Sequence, residues 1–164
     1  MLVSVPVVLA AMAVVRLTSP GPAIFAQPRV GRGGNVFVCR KLRTMRLGTP
    51  SVPTHEASAS QITGVGRFLR ASKLDELPQF WNVLVGEMSL VGPRPCLPTQ
   101  ARLIAEREKR GVMRALPGIT GLAQVNGVDM SDPVACAEMD AEYLRTRSLR
   151  LDLTILFRTL VGRR

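Results

Sequence analysis

The sequence predicts a mixed α/β chain, mostly helical, with one small β-hairpin near its beginning. Three observations lead there. Apolar residues recur at helical spacing over much of the chain; two short β-prone runs flank a glycine-rich connection; and Pro/Gly clusters around residues 18–22 and 117–121 punctuate the rest. A length of 164 residues fits one domain with one core.

Residues 1–15, MLVSVPVVLAAMAVV, are apolar up to Arg16. As a straight helix they would reach roughly 22 Å, short of the roughly 30 Å hydrocarbon layer of a bilayer. The leading reading is a membrane element that enters and leaves by the same face, with Pro6 breaking the helix because it lacks an N–H and crowds the preceding turn. A core helix is the first rival. A signal peptide cut at Ala11-Met12-Ala13 is the second, and it lacks the positively charged leader such peptides carry.

Thr18-Ser19-Pro20-Gly21-Pro22 ends any helix. AIFAQ and NVFVCRK then read as hairpin strands around Arg29-Val30-Gly31-Arg32-Gly33-Gly34, a plain turn because no Gly-x-x-x-x-Gly-Lys-Ser/Thr phosphate loop is present. Lys41 and Arg43 fall on one side of the second strand, as a solvated edge or a phosphate clamp. Residues 47–62 are rich in Ser, Thr and Pro and predict a loop able to cover a site, with His55 as a surface residue in it. Helical spacing resumes at Val65, Phe68 and Leu69, and again at Leu77, Phe80, Trp81 and Leu84. A third helix is expected over 98–110, its Lys and Arg face solvated. After the break at 117–121, the chain reads as helix from about Pro133, interrupted near Arg147-Ser148. The terminal stretch Leu149–Arg158 is apolar between Arg145, Arg147, Arg163 and Arg164. It either lies in a headgroup plane, where each basic residue adds on the order of 1 kcal/mol, or packs into the core.

Lys and Arg outnumber Asp and Glu by 22 to 12, a formal charge of +10, so the preferred partners are anionic. Nucleic acid is not expected among them: one Trp, one Tyr and five Phe offer few stacking platforms, and no recognised nucleic-acid motif is present. Cys39, Cys96 and Cys136 are odd in number and lack a C-x-x-C spacing, which excludes a disulfide framework and a structural zinc site and predicts reduced thiols.

Chemistry is concentrated in Leu74-Asp75-Glu76-Leu77-Pro78-Gln79 and in Gly86–Pro95, GEMSLVGPRP. Asp75 and Glu76 are neighbours whose side chains diverge by about 100° on a helix, so they cannot share a proton and should have separate roles. Pro78 restricts where a helix can begin and places Asp75 near a helix N-terminus, where the dipole favours an ionised carboxylate. Two acidic residues opening a helix are ordinary by themselves. Arg70, Lys73 and Arg94 change that balance, and Pro93 and Pro95 hold Arg94 between two φ-restricted residues, a setting suited to bidentate phosphate contact.

KLRTM (Lys41–Met45), RASKLDELPQ (Arg70–Gln79), NVLVGEMSLVGPRP (Asn82–Pro95) and PGITGLAQVNG (Pro117–Gly127) together resemble the bacterial sugar transferase family, the monotopic polyprenol phosphate phosphoglycosyl transferases. The resemblance covers nearly the whole chain in order. It implies a monotopic phosphoglycosyl transferase-like fold on the cytoplasmic face of the bacterial inner membrane. Residues 1–19 would form a partial re-entrant membrane helix and 20–164 the catalytic domain, with an interfacial C-terminal helix. The implied reaction moves a phosphosugar from a UDP-sugar to undecaprenyl phosphate, the first membrane step of exopolysaccharide, O-antigen or glycoconjugate assembly. Asp75 matches the family's nucleophile, which attacks the sugar-bearing phosphorus, releases UMP and forms an aspartyl phosphosugar. Glu76 matches the ligand of Mg2+. Lys41, Arg70 and Arg94 match basic positions around the phosphate site. Asp140 matches an acidic residue of the late helix, with a supporting or sugar-nucleotide role, and Glu87 and Gln124 fall in matching motifs with catalytic or structural roles open.

The family normally begins with a basic segment and a longer apolar helix broken by a Ser-Pro-like step, so the first half of the re-entrant hairpin is expected to be missing here. Leu122 stands where the family usually has Trp. Two other readings compete: a truncated, non-catalytic membrane-surface binding paralogue, and a basic nucleic-acid-binding protein, which would bind with steep salt dependence.

Overall fold

Residues 4–49 and 59–162 are described in a computed structural model. Helix α1 (Ser4–Thr18) precedes the hairpin strands β1 (Ile24–Val30) and β2 (Val36–Leu42), then helices α2 (Gly64–Ala71) and α3 (Gln79–Leu84). Strand β3 (Ser89–Val91), helix α4 (Ala101–Lys109), strand β4 (Gly118–Thr120) and helices α5 (Leu122–Val125), α6 (Pro133–Thr146) and α7 (Leu149–Val161) follow. The mixed α/β class and the hairpin agree with the sequence. So does the interruption between α6 and α7, where the Ser148 hydroxyl caps α7 by accepting from the Leu151 amide at 3.2 Å. His55 lies outside the described residues, as does most of the expected loop. The ends of that loop are joined: Met45 bridges Ile62, and the Arg46 amide donates to the Gln61 carbonyl at 2.9 Å.

The chain divides into two compact units, Met1–Gln27 with Val38–Asn82 and Pro28–Phe37 with Val83–Arg164. In the first, α1 lays Ala11, Met12 and Val15 against Ala23, Leu42 and Leu69. Val5, Val7, Leu9, Val14 and Leu17 on the same helix stay exposed. One stripe of this helix is core, as the first rival reading expects, and the rest is open and apolar. Pro6 does not break it. Proline is tolerated in a first turn, and the helix runs on without interruption from the first described residues to Thr18. No described helix is long and apolar enough to cross a membrane.

Arg43 serves neither a solvated edge nor a phosphate clamp. It is buried, and its Nη2 donates to the Ser19 carbonyl at 2.9 Å and the Ser19 hydroxyl at 2.7 Å, fixing the turn where α1 ends. Side chains of α3 hold β2 in place of a further strand. Asn82 Oδ1 accepts from the Arg40 amide at 3.2 Å, its Nδ2 donates to the Val38 carbonyl at 2.8 Å, and Gln79 Oε1 accepts from Cys39 Sγ at 3.6 Å. α2 meets the chain beyond β2 so closely that a Cβ on Gly66 would lie 2.0 Å from the Thr44 carbonyl oxygen. Gly66→Ala is therefore expected to cost roughly 1–3 kcal/mol of stability, read by chemical denaturation, because backbone rather than a flexible side chain must give way.

The second unit contains a parallel pair the sequence does not announce, with Ser89 opposite Gly118 and Val91 opposite Thr120. Glycine allows it. A Cβ on Gly118 would sit 2.1 Å from the Gly92 nitrogen, and one on Gly121 2.2 Å from the Gly92 oxygen. The glycines of VGPRP and PGITG thus have a packing reason beside any catalytic one. Val30, Cys96, Leu103, Ala123, Cys136 and Ala137 form one apolar cluster here, and Val91, Tyr143 and Ile155 another. α7 buries Ile155 with Leu151 and Leu156 packed alongside, and exposes Leu149, Leu153, Phe157 and Leu160. The packing reading of the sequence accounts for the buried face, and the opposite face is apolar and exposed.

Cys39, Cys96 and Cys136 are free and buried. Burial pushes the Cys96 and Cys136 thiols up, Cys136 to about 12 with help from the Asp140 charge. Thiolates are the reactive species, so Cys96 and Cys136 should resist Ellman's reagent near pH 8 in the native protein and react once it is unfolded.

Candidate active site

Four of the residues singled out in the sequence belong to the first unit. Lys41 is the penultimate residue of β2, and its Nζ lies 3.0 Å from Glu76 Oε1, both side chains about one-fifth exposed at 20% and 18%. Arg70 closes α2, and its Nε donates to Thr44 Oγ1 at 2.9 Å. Among the described residues its two terminal nitrogens take no further hydrogen bond. Thr44 has a double duty, its hydroxyl orienting Arg70 and its carbonyl accepting from the Thr63 amide at 3.0 Å. In this way KLRTM becomes a set of separate anchors: Lys41 for Glu76, Arg43 for the exit of α1, Thr44 for Arg70.

Asp75 and Glu76 occupy a 3-10 turn, Leu74–Glu76, against which α2 packs. This corrects the placement at a helix N-terminus. α3 begins only at Gln79, directly after Pro78, and is six residues long, so Asp75 lies a full turn ahead of a short helix. Successive residues of a 3-10 turn diverge by about 120°, and the two carboxylates keep the separate roles the sequence demanded. Asp75 is 9% exposed.

Lys73 enters this turn at φ 57°, the sole non-glycine residue with positive φ among the described residues. It ends α2 in the left-handed region, where a lysine sits at a cost on the order of 1 kcal/mol. Such outliers concentrate where backbone geometry is over-determined by its surroundings, and this one is two residues before Asp75.

A single carboxylate, Glu76, is the donor this turn would offer to Mg2+. Among the described residues no three His, Cys, Asp or Glu side chains gather into a complete metal cage. Mg2+ characteristically takes one or two carboxylates and completes its shell with water and substrate phosphate. Glu76 is a hard oxygen donor of that kind, held beside the Lys41 ammonium at 3.0 Å.

Arg94 and Asp140 belong to the second unit. Arg94 is half-buried on the turn after β3, between Pro93 and Pro95. Every carbonyl from 93 to 96 is taken: Pro93 O accepts from the Gly118 amide at 2.9 Å, Arg94 O from Arg107 Nη1 at 2.8 Å, Pro95 O from Arg29 Nη1 at 3.1 Å and Cys96 O from the Val30 amide at 2.9 Å. Asp140 is 2% exposed, and its Oδ2 accepts from Arg107 Nε at 2.9 Å and Nη2 at 2.7 Å. Burial is the largest influence on Arg107 and opposes its charge, but the Asp140 charge and hydrogen bond together with Cys96 and Cys136 outweigh it and hold the guanidinium above its usual range, while burial pushes the Asp140 carboxyl up.

Sequence reasoning missed Arg107 by treating the basic face of its helix as solvated, whereas Arg107 is 3% exposed. A signal was present: it stands four residues after Leu103, on the apolar face of α4. Of the two uncertain motif residues, Gln124 donates from Nε2 to the Ile119 carbonyl at 3.2 Å and so has a structural part within PGITGLAQ.

The model of a family described as bacterial sugar transferase matches residues 1–163. The chain is 44% identical over 165 residues to the UDP-glucose:undecaprenyl-phosphate glucose-1-phosphate transferase of Caulobacter vibrioides, covering 94% of this chain and 61% of that protein. It is 39% identical to the undecaprenyl-phosphate galactose phosphotransferase of Salmonella typhimurium, over 85% of this chain and 33% of that one. It is 40% identical to the UDP-N-acetylgalactosamine-undecaprenyl-phosphate N-acetylgalactosaminephosphotransferase of Aeromonas hydrophila, over 94% of this chain and 38% of that one. The chain therefore spans less than two thirds of the length of each of these relatives.

Proposed function

The chain belongs to the bacterial sugar transferase family, and from that premise we propose that it transfers a phosphosugar from a UDP-sugar to undecaprenyl phosphate through an intermediate on Asp75. The observation that carries this reading is the turn at 73–76: a strained entry at Lys73, the little-exposed carboxylate of Asp75, and Glu76 ion-paired to Lys41 at 3.0 Å.

In the first step an Asp75 oxygen attacks the sugar-bearing phosphorus, the bond from that phosphorus to the bridging oxygen breaks, and UMP leaves with the bonding electrons. An acyl phosphate linking Asp75 to the phosphosugar remains. In the second step an oxygen of the lipid phosphate attacks the same phosphorus, and Asp75 departs as a carboxylate. The two steps let one phosphate pocket serve the soluble donor and the lipid acceptor in turn. Lys41 and Arg70, in the unit that carries Asp75, supply positive charge to the phosphoryl oxygens as negative charge develops, and the motif match gives Arg94 a phosphate-binding role as well. Mg2+, when bound at Glu76, would neutralise part of the diphosphate charge. Asp140 is nearly inaccessible, so it supports the site through Arg107 rather than touching the sugar nucleotide.

The acceptor's phosphate is confined to a membrane surface, and we place the chain on the cytoplasmic face of the inner membrane. The exposed apolar residues of α1 and the open face of α7, with Arg145, Arg147 and Arg150 beside it, support contact with a membrane surface. A partial re-entrant role for α1 rests on the same exposed residues.

The test is a lipid-free reaction of the purified protein with Mg2+ and, separately, UDP-glucose, UDP-galactose and UDP-N-acetylgalactosamine. With the accepted donor, about one UMP per protein should appear, with a matching mass increase on the peptide containing Asp75. Failure of every donor to yield UMP, with folded protein and lipid acceptor added, would leave the binding-module reading standing instead.

A further inference from the structure

Four consecutive carbonyls, from Pro93 to Cys96, each accept from a different partner, and two of those partners are buried arginines far away in sequence. Pro93 and Pro95 have no N–H to give, so at these two positions the turn is held through its carbonyls. Arg29 is 9% exposed and Arg107 3% exposed. Burying two guanidinium groups is costly unless they are paired and fully bonded. Arg107 meets that requirement with a fork on Asp140 Oδ2 at 2.9 and 2.7 Å and spends its remaining terminal nitrogen on the Arg94 carbonyl at 2.8 Å. An apolar residue on α4 could fill the same space at lower desolvation cost, but it could not hold that carbonyl.

We infer that Arg107, oriented by Asp140, and Arg29 are positioning residues for Arg94: they fix the backbone of its turn so that its guanidinium meets the donor's phosphate without rearrangement. This rests on the phosphate role proposed above for Arg94. A fixed turn matters because a bidentate arginine contact depends on orientation as well as charge, and a displacement of about 1 Å in a positioned group can cost on the order of 100-fold in rate. Lysine at either position keeps the charge and loses the planar fork. Its effect therefore separates positioning from the simple presence of a cation.

The experiment is a double-mutant cycle on UDP-sugar-dependent UMP release. Arg107→Lys and Arg29→Lys are each made in the wild-type and the Arg94→Ala background, with far-UV circular dichroism on every variant. In the wild-type background each lysine variant should raise KM for the donor roughly tenfold, and in the Arg94→Ala background by less than about twofold. A merely structural role would multiply with Arg94→Ala instead, and equal effects in both backgrounds overturn the inference while leaving Arg94's phosphate role intact. Should Arg107→Lys fail to fold, Asp140→Asn replaces it in the cycle with the same expected coupling, since it removes the charge that orients Arg107. If Arg94→Ala itself leaves KM unchanged, the phosphate role of Arg94 falls and this inference falls with it.

Discussion

Asp75→Asn is expected to abolish lipid-free UMP release, lowering turnover by on the order of 1,000-fold or more and removing the mass increase on its peptide. Asparagine has nearly the same shape, and an amide oxygen is too weak a nucleophile to displace UMP from a diphosphate. The side chain is only 9% exposed, on a turn entered through the positive-φ Lys73, so the control is a far-UV circular dichroism spectrum matching the parent protein. Full turnover by a folded Asp75→Asn protein would rule out the covalent route.

The largest stability effect is expected at Asp140. Asp140→Ala leaves the Arg107 guanidinium, 3% exposed, without its counter-charge. Breaking a buried pair from one side costs roughly 3–5 kcal/mol, because the surviving charge stays desolvated. The chain's one tryptophan, Trp81, lies in the first unit while Asp140 lies in the second. Denaturant unfolding should therefore be followed by far-UV circular dichroism rather than by tryptophan emission alone. Replacing both partners at once, Arg107→Met with Asp140→Leu, should recover most of the loss, since apolar pairs of similar volume often match buried ion pairs in stability. The recovered protein would still lack the donor that holds the Arg94 carbonyl. Stability regained without donor affinity regained would separate the two consequences of this pair.

Most helices were legible because their apolar residues repeat at the right spacing: Val65, Phe68 and Leu69 lie in α2, and the break at Arg147-Ser148 is where α6 gives way to α7. The β1–β2 hairpin was legible from β-branched runs about a glycine turn. The β3–β4 pair was not. Three residues are too few to show alternation, and their parallel register depends on glycine backbones approaching each other across 26 residues, from Gly92 to Gly118. At the site, the acidic pair and Lys41 could be picked out by residue type and motif, and the structure brings Lys41 to Glu76. Sequence could not show that Arg43 would be used on the Ser19–Pro20 turn, and the one sign that Arg107 points inward, its spacing from Leu103, was masked by neighbouring arginines that face water. Pro78 was read correctly as a limit on a helix start. The misplacement of Asp75 came from taking the turn before it for part of that helix.

The Asn82 amide has a consequence beyond the site. By occupying Val38 O and Arg40 N–H, at 2.8 and 3.2 Å, it takes up two of the main-chain groups on β2 that an added strand would pair with. Exposed strand margins are templates for intermolecular aggregation, and Val36 and Val38 would make this one sticky. A single helical side chain thus leaves this strand with fewer open main-chain groups for a second chain to pair with.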